Sequence, residues 1–340
     1  MTYSRWKWHH PLPRTVWLGV LLAGVGLIFV LSLAIGSVSI PLPDVLTILL
    51  GGTPTKPGWR NIIWQFRLPR SLTAMLAGAA LAISGLQLQT LFCNPLAGPF
   101  VLGISSGASL GVAIVVLASQ QLGLFYGDLG IITAACIGAA SVALLVIVVA
   151  RLVQSAIALL VLGLMFGYAT GAMVNILLQL SSAQQVQQFV IWTFGSFGGV
   201  TWVQLPLLAT GVGIGGAIAL ISTAALNVML LGEVQAQSLG VNLARLRLLV
   251  LLSSSLLAGI VTAFCGPIAF LGVAVPHLCR GMLRTADLRW LLPGVVIVGA
   301  GLALVADLLS QILVRSSVLP LNSVTALIGT PILIWVILRK

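Results

Sequence analysis

The sequence predicts an all-α membrane protein with about ten transmembrane helices, in a single domain that covers residues 1–340. Hydrophobic residues make up 59% of the chain and charged residues only 6%, and the mean hydropathy is +1.17. A water-soluble domain could not bury that much apolar surface, whereas a chain that crosses a bilayer many times requires it. The apolar residues also fall into long runs, which polar or Gly- and Pro-rich breaks separate.

Each apolar run is assigned to a span by its length and by the residues that stop it. The basic amino terminus precedes an apolar run that is too long for a signal-peptide core, so we interpret this run as a retained first helix. The predicted spans are 16–35, 71–91, 100–118, 130–149, 157–180, 204–223, 246–264, 268–282, 291–313 and 323–338.

Several connections carry signals of their own. Residues 36–65 are rich in proline and glycine, which predicts an extramembrane connection with a short helix near 43–50. Residues 93–99 stop the second span, because their two prolines and one glycine cannot continue a helix. Residues 181–202 hold a glutamine cluster and several glycines, and we expect them to be too irregular for a lipid-facing helix. The span at 268–282 is short, and its flanking prolines predict an interrupted, tilted or internally packed helix.

Residues 231–247 (LGEVQAQSLGVNLARLR) are the longest polar interruption inside the chain, and they contain its only glutamate. Gly232 and Gly240 divide the segment into two short helical pieces, 233–239 and 242–247, which predicts a helix–turn–helix across the membrane face. A polar segment of this kind lies outside the bilayer and presents a surface to a soluble partner.

The basic residues orient the chain in the membrane. If both termini are cytoplasmic, eleven of the sixteen Lys and Arg residues lie in cytoplasmic segments, among them those of the 231–247 segment. Cytoplasmic loops are enriched in Lys and Arg, so this orientation is favoured. The net charge of +11 therefore reflects membrane topology rather than a nucleic-acid surface, since the basic residues form no dense stripe.

Residue types also exclude some activities. A P-loop needs Gly-Lys-Ser/Thr, and the three lysines follow Trp, Thr and Arg, so the chain cannot cradle a nucleotide in that way. The four cysteines show no CxxC spacing and are interpreted as packing residues. His277 is interpreted as a hydrogen-bonded residue at a helix end rather than a metal ligand. Asp307 lies well inside a span, where we expect it to bond a neighbouring helix near the outer end of the ninth span.

Small and polar residues within the spans predict how the helices pack. Gly103, Gly107 and Gly111 recur at four-residue spacing, which favours close helix packing within the subunit. Asn175 and Gln179 are also four apart, so they lie on one face of the fifth span. Polar groups are costly toward lipid, and this face is therefore predicted to line a water-filled pathway.

A series of short motifs, in a fixed order, carries a family resemblance. The motifs are RLPR at 67–70, GAALAISG at 78–85, NPLA at 94–97, LGISSGA at 102–108, GE at 232–233, LGV at 239–241, GPI at 266–268, VPH at 275–277, LP at 319–320 and VTALIG at 324–329. In this order the chain resembles the FecCD-type permeases, the membrane subunits of ABC importers for iron-siderophores, haem and vitamin B12. No single motif is specific, but their combination covers nearly the whole chain.

The resemblance implies the fold and the partners of a type II ABC importer permease. In such an importer, two permease subunits, identical or paralogous, form a central pathway in the bacterial cytoplasmic (inner) membrane. Two ABC ATPase subunits dock on the cytoplasmic side and use ATP, and an extracytoplasmic substrate-binding protein docks on the other side. The chain itself would then be no enzyme and would bind no cofactor.

The resemblance also implies site residues by position. The residues matched to ATPase coupling are Glu233, Ala236, Leu239, Gly240, Arg245 and Arg247. The residues matched to the cytoplasmic gate are Ser155, Ala156 and Ile157. Arg67 and Arg70 match arginines that receive glutamates of the binding protein, since a guanidinium holds a carboxylate through two hydrogen bonds. A third such arginine would fall at Gln311, and Arg315 one turn later could replace it.

Two classes of function stay open at this point. The first is an import permease driven by partner ATPases, with a ferric-siderophore complex as the expected substrate and haem or cobalamin as alternatives. The second is a self-contained secondary transporter or channel, which uptake without a partner ATPase would support.

Overall fold

The computed structural model describes residues 13–118, 127–153, 155–313 and 319–338, and regular structure in these ranges is helical. A π-helical turn at Ile62–Arg67 and a 3-10 turn at Pro99–Leu102 interrupt the α-helices. The α-helices are α1 (Arg14–Ala34), α2 (Leu42–Leu49), α3 (Gly58–Asn61), α4 (Leu68–Leu91), α5 (Ile104–Leu117), α6 (Asp128–Leu152), α7 (Ala156–Leu180), α8 (Ala183–Thr193), α9 (Leu205–Met229), α10 (Glu233–Ser238), α11 (Leu243–Cys265), α12 (Leu271–Leu283), α13 (Leu288–Ile312) and α14 (Leu321–Leu338).

The number of predicted spans agrees with the number of apolar helical segments. Among the described residues, seven helical segments are long and apolar enough to cross a membrane, and three shorter apolar helices are present. The short ones are α5, α12 and α14, and together these segments coincide with the predicted apolar runs. The prediction of an all-α, multi-span protein is therefore confirmed.

α4 is the central helix of the bundle and packs against α9, α11, α12 and α13. Glycines allow this close packing, as a Cβ on Gly78 would lie 2.2 Å from the carbonyl oxygen of Gly299, and one on Gly85 would lie 1.6 Å from that of Gly272. α5 and α6 approach in the same way, because a Cβ on Gly111 would lie 2.1 Å from Ala134 O. The predicted packing of small residues within the subunit is thus confirmed.

Two predicted connections are more helical than the sequence suggested. The second span does not begin at residue 71, because α3 and the π-helical turn lead directly into α4. Residues 181–202, expected to be irregular, contain α8, whose first turn is closed where Gln185 Oε1 accepts a 2.9 Å hydrogen bond from Ser182 N. A glutamine at the third helical position satisfies the free amide of the cap, a role that the glutamine cluster obscured.

The predicted second piece of the 231–247 segment is not a separate helix. Asn242 Oδ1 accepts a 3.0 Å hydrogen bond from Arg245 N, which caps α11 at its first residue. From there α11 runs without a break to Cys265. Arg245 and Arg247 therefore lie in the first turns of a membrane-crossing helix. α12 contains Pro276 inside the helix and packs against α4, as expected of an internally packed short span.

Candidate functional site

The polar segment 231–247 folds as a short helix held between two turns. Gly232 and Gly240 flank α10, and both have a left-handed backbone, with φ of +107° and +85°. Residues with a Cβ rarely adopt this φ, so glycine suits both turns. Ala236 is fully buried, and its carbonyl accepts a 3.0 Å hydrogen bond from Val241 N, which fixes α10 against the start of α11.

The surface of α10 combines apolar and charged groups. Val234 and Leu239 are 73% and 64% exposed, although they lie in the longest polar interruption of the chain. Arg247 Nη2 donates a 2.8 Å hydrogen bond to Glu233 Oε1, and this ion pair joins the first turn of α10 to α11. Arg245 is exposed. Exposed apolar side chains outside a bilayer, beside charges, are typical of a protein-binding surface.

Arg67, which is predicted to lie on the opposite side of the membrane from α10, is not free at the surface. Only 7% of the residue is exposed, and its guanidinium donates to the carbonyl oxygens of Leu33, at 2.6 Å, and Val38. Leu33 lies in the last turn of α1, where carbonyls lack helical partners and the helix dipole favours a positive charge. The exposed guanidinium that docking would need is therefore absent at Arg67, which instead closes the end of α1.

Arg70 forms a two-point ion pair with Asp307. Arg70 Nε lies 2.9 Å from both carboxylate oxygens, and Nη2 lies 2.8 Å from Oδ1. Gln311 Nε2 donates a further 2.9 Å hydrogen bond to Asp307 Oδ2. The pair ties α4 to α13, so the predicted structural role of Asp307 is confirmed. The Arg70 side chain is still 20% exposed. Arg315 lies outside the described residues.

The predicted gate and pathway residues lie on α7. Ser155 caps this helix, since its Oγ accepts a 3.3 Å hydrogen bond from Ala158 N. The backbone of residues 156–157 is helical, and their side chains lie outside the described part of the protein. Asn175 and Gln179 are both exposed, on a face that the described residues leave uncovered. The gate and the pathway stay predictions.

A buried polar network between α4, α9 and α11 was not predicted. Gln87 Oε1 accepts a 2.9 Å hydrogen bond from Ser253 Oγ, and Gln87 Nε2 lies 3.2 Å from Ser222 Oγ. Ser253 also donates to Gly215 O at 2.8 Å. The signal was Gln87 and a run of three serines, 253–255, inside apolar spans, because polar groups at such positions need partners from other helices.

Contacts between helix ends fall into two sets that agree with an alternating topology. One set joins ends predicted on the outer side, and the other joins ends predicted on the inner side. The outer set is Arg67 with Leu33, Arg70 with Asp307, and the Trp202 indole with Trp64 O. The inner set is Glu233 with Arg247, Asn227 with Asp287, Gln89 with Arg280, and His277 Nε2 with Pro95 O. His277 is thus hydrogen-bonded, as expected, but it lies in the middle of α12 rather than at a helix end.

Asp287 caps α13 at the end predicted to lie on the inner side. Its Oδ1 accepts hydrogen bonds from Arg289 N at 2.9 Å and from Asn227 Nδ2 at 2.7 Å. The hydrogen bond from the Arg289 backbone holds the pKa of Asp287 below its usual value. Burial opposes this effect, while the Asn227 hydrogen bond and the charges of Arg289 and Arg14 add to the lowering.

Comparison with known proteins matches this geometry over nearly the whole chain. The FecCD transport family model matches residues 24–339. The hemin transport system permease protein HmuU of Yersinia pestis is 37% identical over 321 residues, which are 94% of this chain and 96% of the relative. The vitamin B12 import system permease protein BtuC of Citrobacter koseri is 36% identical over 312 residues, 89% and 93% of the two chains.

A solved structure has the same fold. An inward-facing protein, assigned as a metal-chelate type ABC transporter, superposes with a TM-score of 0.85 at 30% sequence identity. The match covers 96% of this chain and 100% of the other. A second structure, PsaBC from Streptococcus pneumoniae in complex with Fab, matches with a TM-score of 0.51 at 17% identity, which indicates likeness of fold alone.

Proposed function

This chain belongs to the FecCD transport family of ABC importer permeases, and from that premise we propose that it forms, with a second permease subunit, the inner-membrane pathway for a metal chelate. The observation that carries the proposal is α10 with the turn that follows it, where exposed apolar residues lie outside the bilayer beside the exposed Arg245 of α11. The chain contains no Gly-Lys-Ser/Thr sequence of its own, so such a surface suits a separate ATPase.

The coupling surface consists of Val234, Leu239 and the exposed Arg245, with the left-handed Gly240 as its second turn. Motion of the ATPase subunits would move α10, and through the Glu233–Arg247 pair it would reach α11. Because α11 packs against α4 and α6, a displacement of the inner end of α11 is transmitted to these two helices.

The substrate is a complex of iron or cobalt with an organic ligand. The family resemblance implies a ferric siderophore, and the relatives named above are a haem and a vitamin B12 permease, which supports haem or cobalamin equally. No metal-ligating cluster of His, Cys, Asp or Glu occurs in the described ranges, so we assign the choice of chelate to the substrate-binding protein.

Docking of the binding protein is assigned to Arg70 rather than to Arg67. Arg70 retains 20% exposure and lies at the outer mouth of α4, whereas Arg67 is enclosed by backbone carbonyls. An incoming carboxylate would share the guanidinium of Arg70 with Asp307. The family position of a third arginine is Gln311, which here bonds Asp307.

The experiment is reconstitution of the permease with its ATPase and binding protein in liposomes. Radiolabelled ferric siderophore, haem and cobalamin are supplied in turn, with ATP or with a non-hydrolysable analogue inside. We expect ATP-dependent uptake of one chelate class. Uptake by the permease without the ATPase would favour a secondary transporter, and ATP-dependent uptake of none of the three would contradict the substrate class.

Gly240→Val tests the coupling surface, with Gly281→Val as the matched control. Gly240 has a φ of +85°, whereas Gly281 lies in α12 near the same membrane side, and a Cβ there meets nothing within 4 Å. We expect Gly240→Val to abolish transport-linked ATP hydrolysis with the protein still folded, and Gly281→Val to retain it. If Gly240→Val retained the same ATP hydrolysis as Gly281→Val, α10 would only connect its neighbouring helices.

A further inference from the structure

A cavity of about 400 Å³ lies between the inner ends of α6 and α11, beside α10. Its volume is within the range of about 300–1,000 Å³ that is typical of small-molecule sites. The same two helices are in contact nearer the bilayer centre, where a Cβ on Gly259 would lie 3.2 Å from that of Ala139. The cavity therefore occupies a space between helices that are packed together farther along.

The lining of the cavity changes from charged to apolar with depth. Arg151 of α6 and Arg247 of α11 lie on it near the helix ends. Ile147 precedes Arg151 by one helical turn and Leu251 follows Arg247 by one turn, and both also line the cavity. Because the two helices run in opposite directions, both apolar residues lie roughly 6 Å deeper in the membrane than the arginines.

We propose that this cavity binds the headgroup of an anionic phospholipid from the inner leaflet. A phosphate fits between two guanidinium groups, whose planar donors match its oxygens. With Glu233 also on the lining, the three charges sum to one positive charge, which a phosphodiester with one negative charge would neutralise. Within the described ranges no side chain forms an ion pair with Arg151, so its donors are available.

The neighbouring surface gives a lipid access to the cavity. Leu144, Leu145 and Val148 of α6 are 62%, 49% and 49% exposed, and they lie within two turns of Arg151 on the bilayer side. Acyl chains would lie along these side chains while the headgroup remains at the arginines. A carboxylate of a soluble partner would match the charges but not the apolar depth, which is why a lipid is favoured.

Binding here would act on the coupling segment, a consequence that rests on the proposed function, whereas the binding itself does not. A phosphate on Arg247 competes with Glu233 for the same guanidinium. It would loosen the link between α10 and α11 and replace it with a link from α11 to α6, the helix that precedes Ser155. Anionic lipid would therefore change how tightly ATPase motion is coupled to the membrane helices.

The test uses the purified permease–ATPase complex in nanodiscs of phosphatidylglycerol and phosphatidylcholine. Lipids retained after transfer to detergent are counted by native mass spectrometry. We expect the complex to retain phosphatidylglycerol preferentially and Arg151→Gln to lower that preference about fivefold, the typical contribution of one arginine near an anionic surface. Glu233→Gln should raise the preference, because it removes the competing carboxylate.

Arg289→Gln is the matched control, since Arg289 is an exposed arginine on the same side of the membrane and does not line the cavity. It should leave the preference unchanged. Equal losses for Arg151→Gln and Arg289→Gln would show a general charge effect and overturn the proposal. Retention of phosphatidylglycerol only after the ATPase is removed would assign the cavity to the ATPase instead. Neither result depends on whether the complex transports a chelate.

Discussion

Two membrane-crossing segments of similar hydropathy have opposite surroundings in this chain. In the segment Gly58–Leu91, which contains α4, mean hydropathy of the most apolar stretch is 1.5 and 83% of that stretch is buried. In Ala158–Leu180 of α7, the hydropathy is 1.8 and only 11% is buried. Hydropathy thus shows that a helix crosses the bilayer but does not show what it contacts, because lipid tails and other helices are equally apolar.

Close contacts at small residues account for the burial of α4. α4 is rich in Ala, Gly and Ser, which let other helices approach on every side. α7 carries large exposed side chains, among them Met165, Tyr168 and Ile176, beside the polar Asn175 and Gln179. The described residues leave this surface uncovered, and the polar face is the one expected to meet the second permease subunit across a pathway.

The largest effect is expected from a single methyl group at Gly85 of α4. Gly85→Ala would place a Cβ 1.6 Å from Gly272 O and force α4 away from α12. We expect a loss of more than about 4 kcal/mol, or no folded protein. The control is Gly171→Ala in α7, where a Cβ meets nothing within 4 Å. Thermal unfolding in detergent compares the two, and equal stability would contradict the central role of α4.

The next effect concerns the ion pair that joins α4 to α13. Asp307→Ala would leave the Arg70 guanidinium without its partner in a mostly buried position, at a cost of about 3 kcal/mol. The double change Arg70→Met with Asp307→Leu should cost less than the single one, because no charge is left unpaired. In the more exposed pair, Glu233→Gln should cost at most about 1 kcal/mol. Thermal midpoints measure all three, and a double variant less stable than Asp307→Ala would refute this account.

Two glutamines sharpen the comparison at the level of single side chains. Gln87→Leu in α4 would leave Ser222 without its amide partner and Ser253 with one acceptor fewer, which should cost about 1 kcal/mol. Gln179→Leu on the exposed face of α7 should change stability by less than about 0.5 kcal/mol. Uptake assays should show the reverse order, with Gln179→Leu impaired more than Gln87→Leu. Unimpaired uptake in Gln179→Leu would remove this residue from the pathway.

Most of the fold was predictable from the sequence, because apolar length and Gly/Pro breaks determine where a chain crosses a bilayer. The helical turns of α10 were predictable for the same reason, since Gly232 and Gly240 mark them. The surroundings of the arginines were not. Arg67 and Arg70 are three residues apart in one motif, yet one closes α1 and the other bonds α13. Partners 34 and 237 residues away leave no local signal.

The last prediction concerns the charge of Asp287, a residue that neither region of the comparison contains. Asp287→Ala removes the cap of α13 and should cost about 1 kcal/mol at pH 7. Asp287→Asn keeps an acceptor for Arg289 N and loses only the charge, so it should cost only a few tenths of a kcal/mol. The folded pKa of Asp287 is lowered, so the contribution of its charge is present above the unfolded pKa of about 3.9 and is lost as pH falls through the folded value. The thermal midpoints of wild type and Asp287→Asn should therefore differ by a constant amount near neutral pH and converge below about pH 4. A difference that instead grows on acidification would mean that the protonated carboxyl, not the carboxylate, is the form that caps α13.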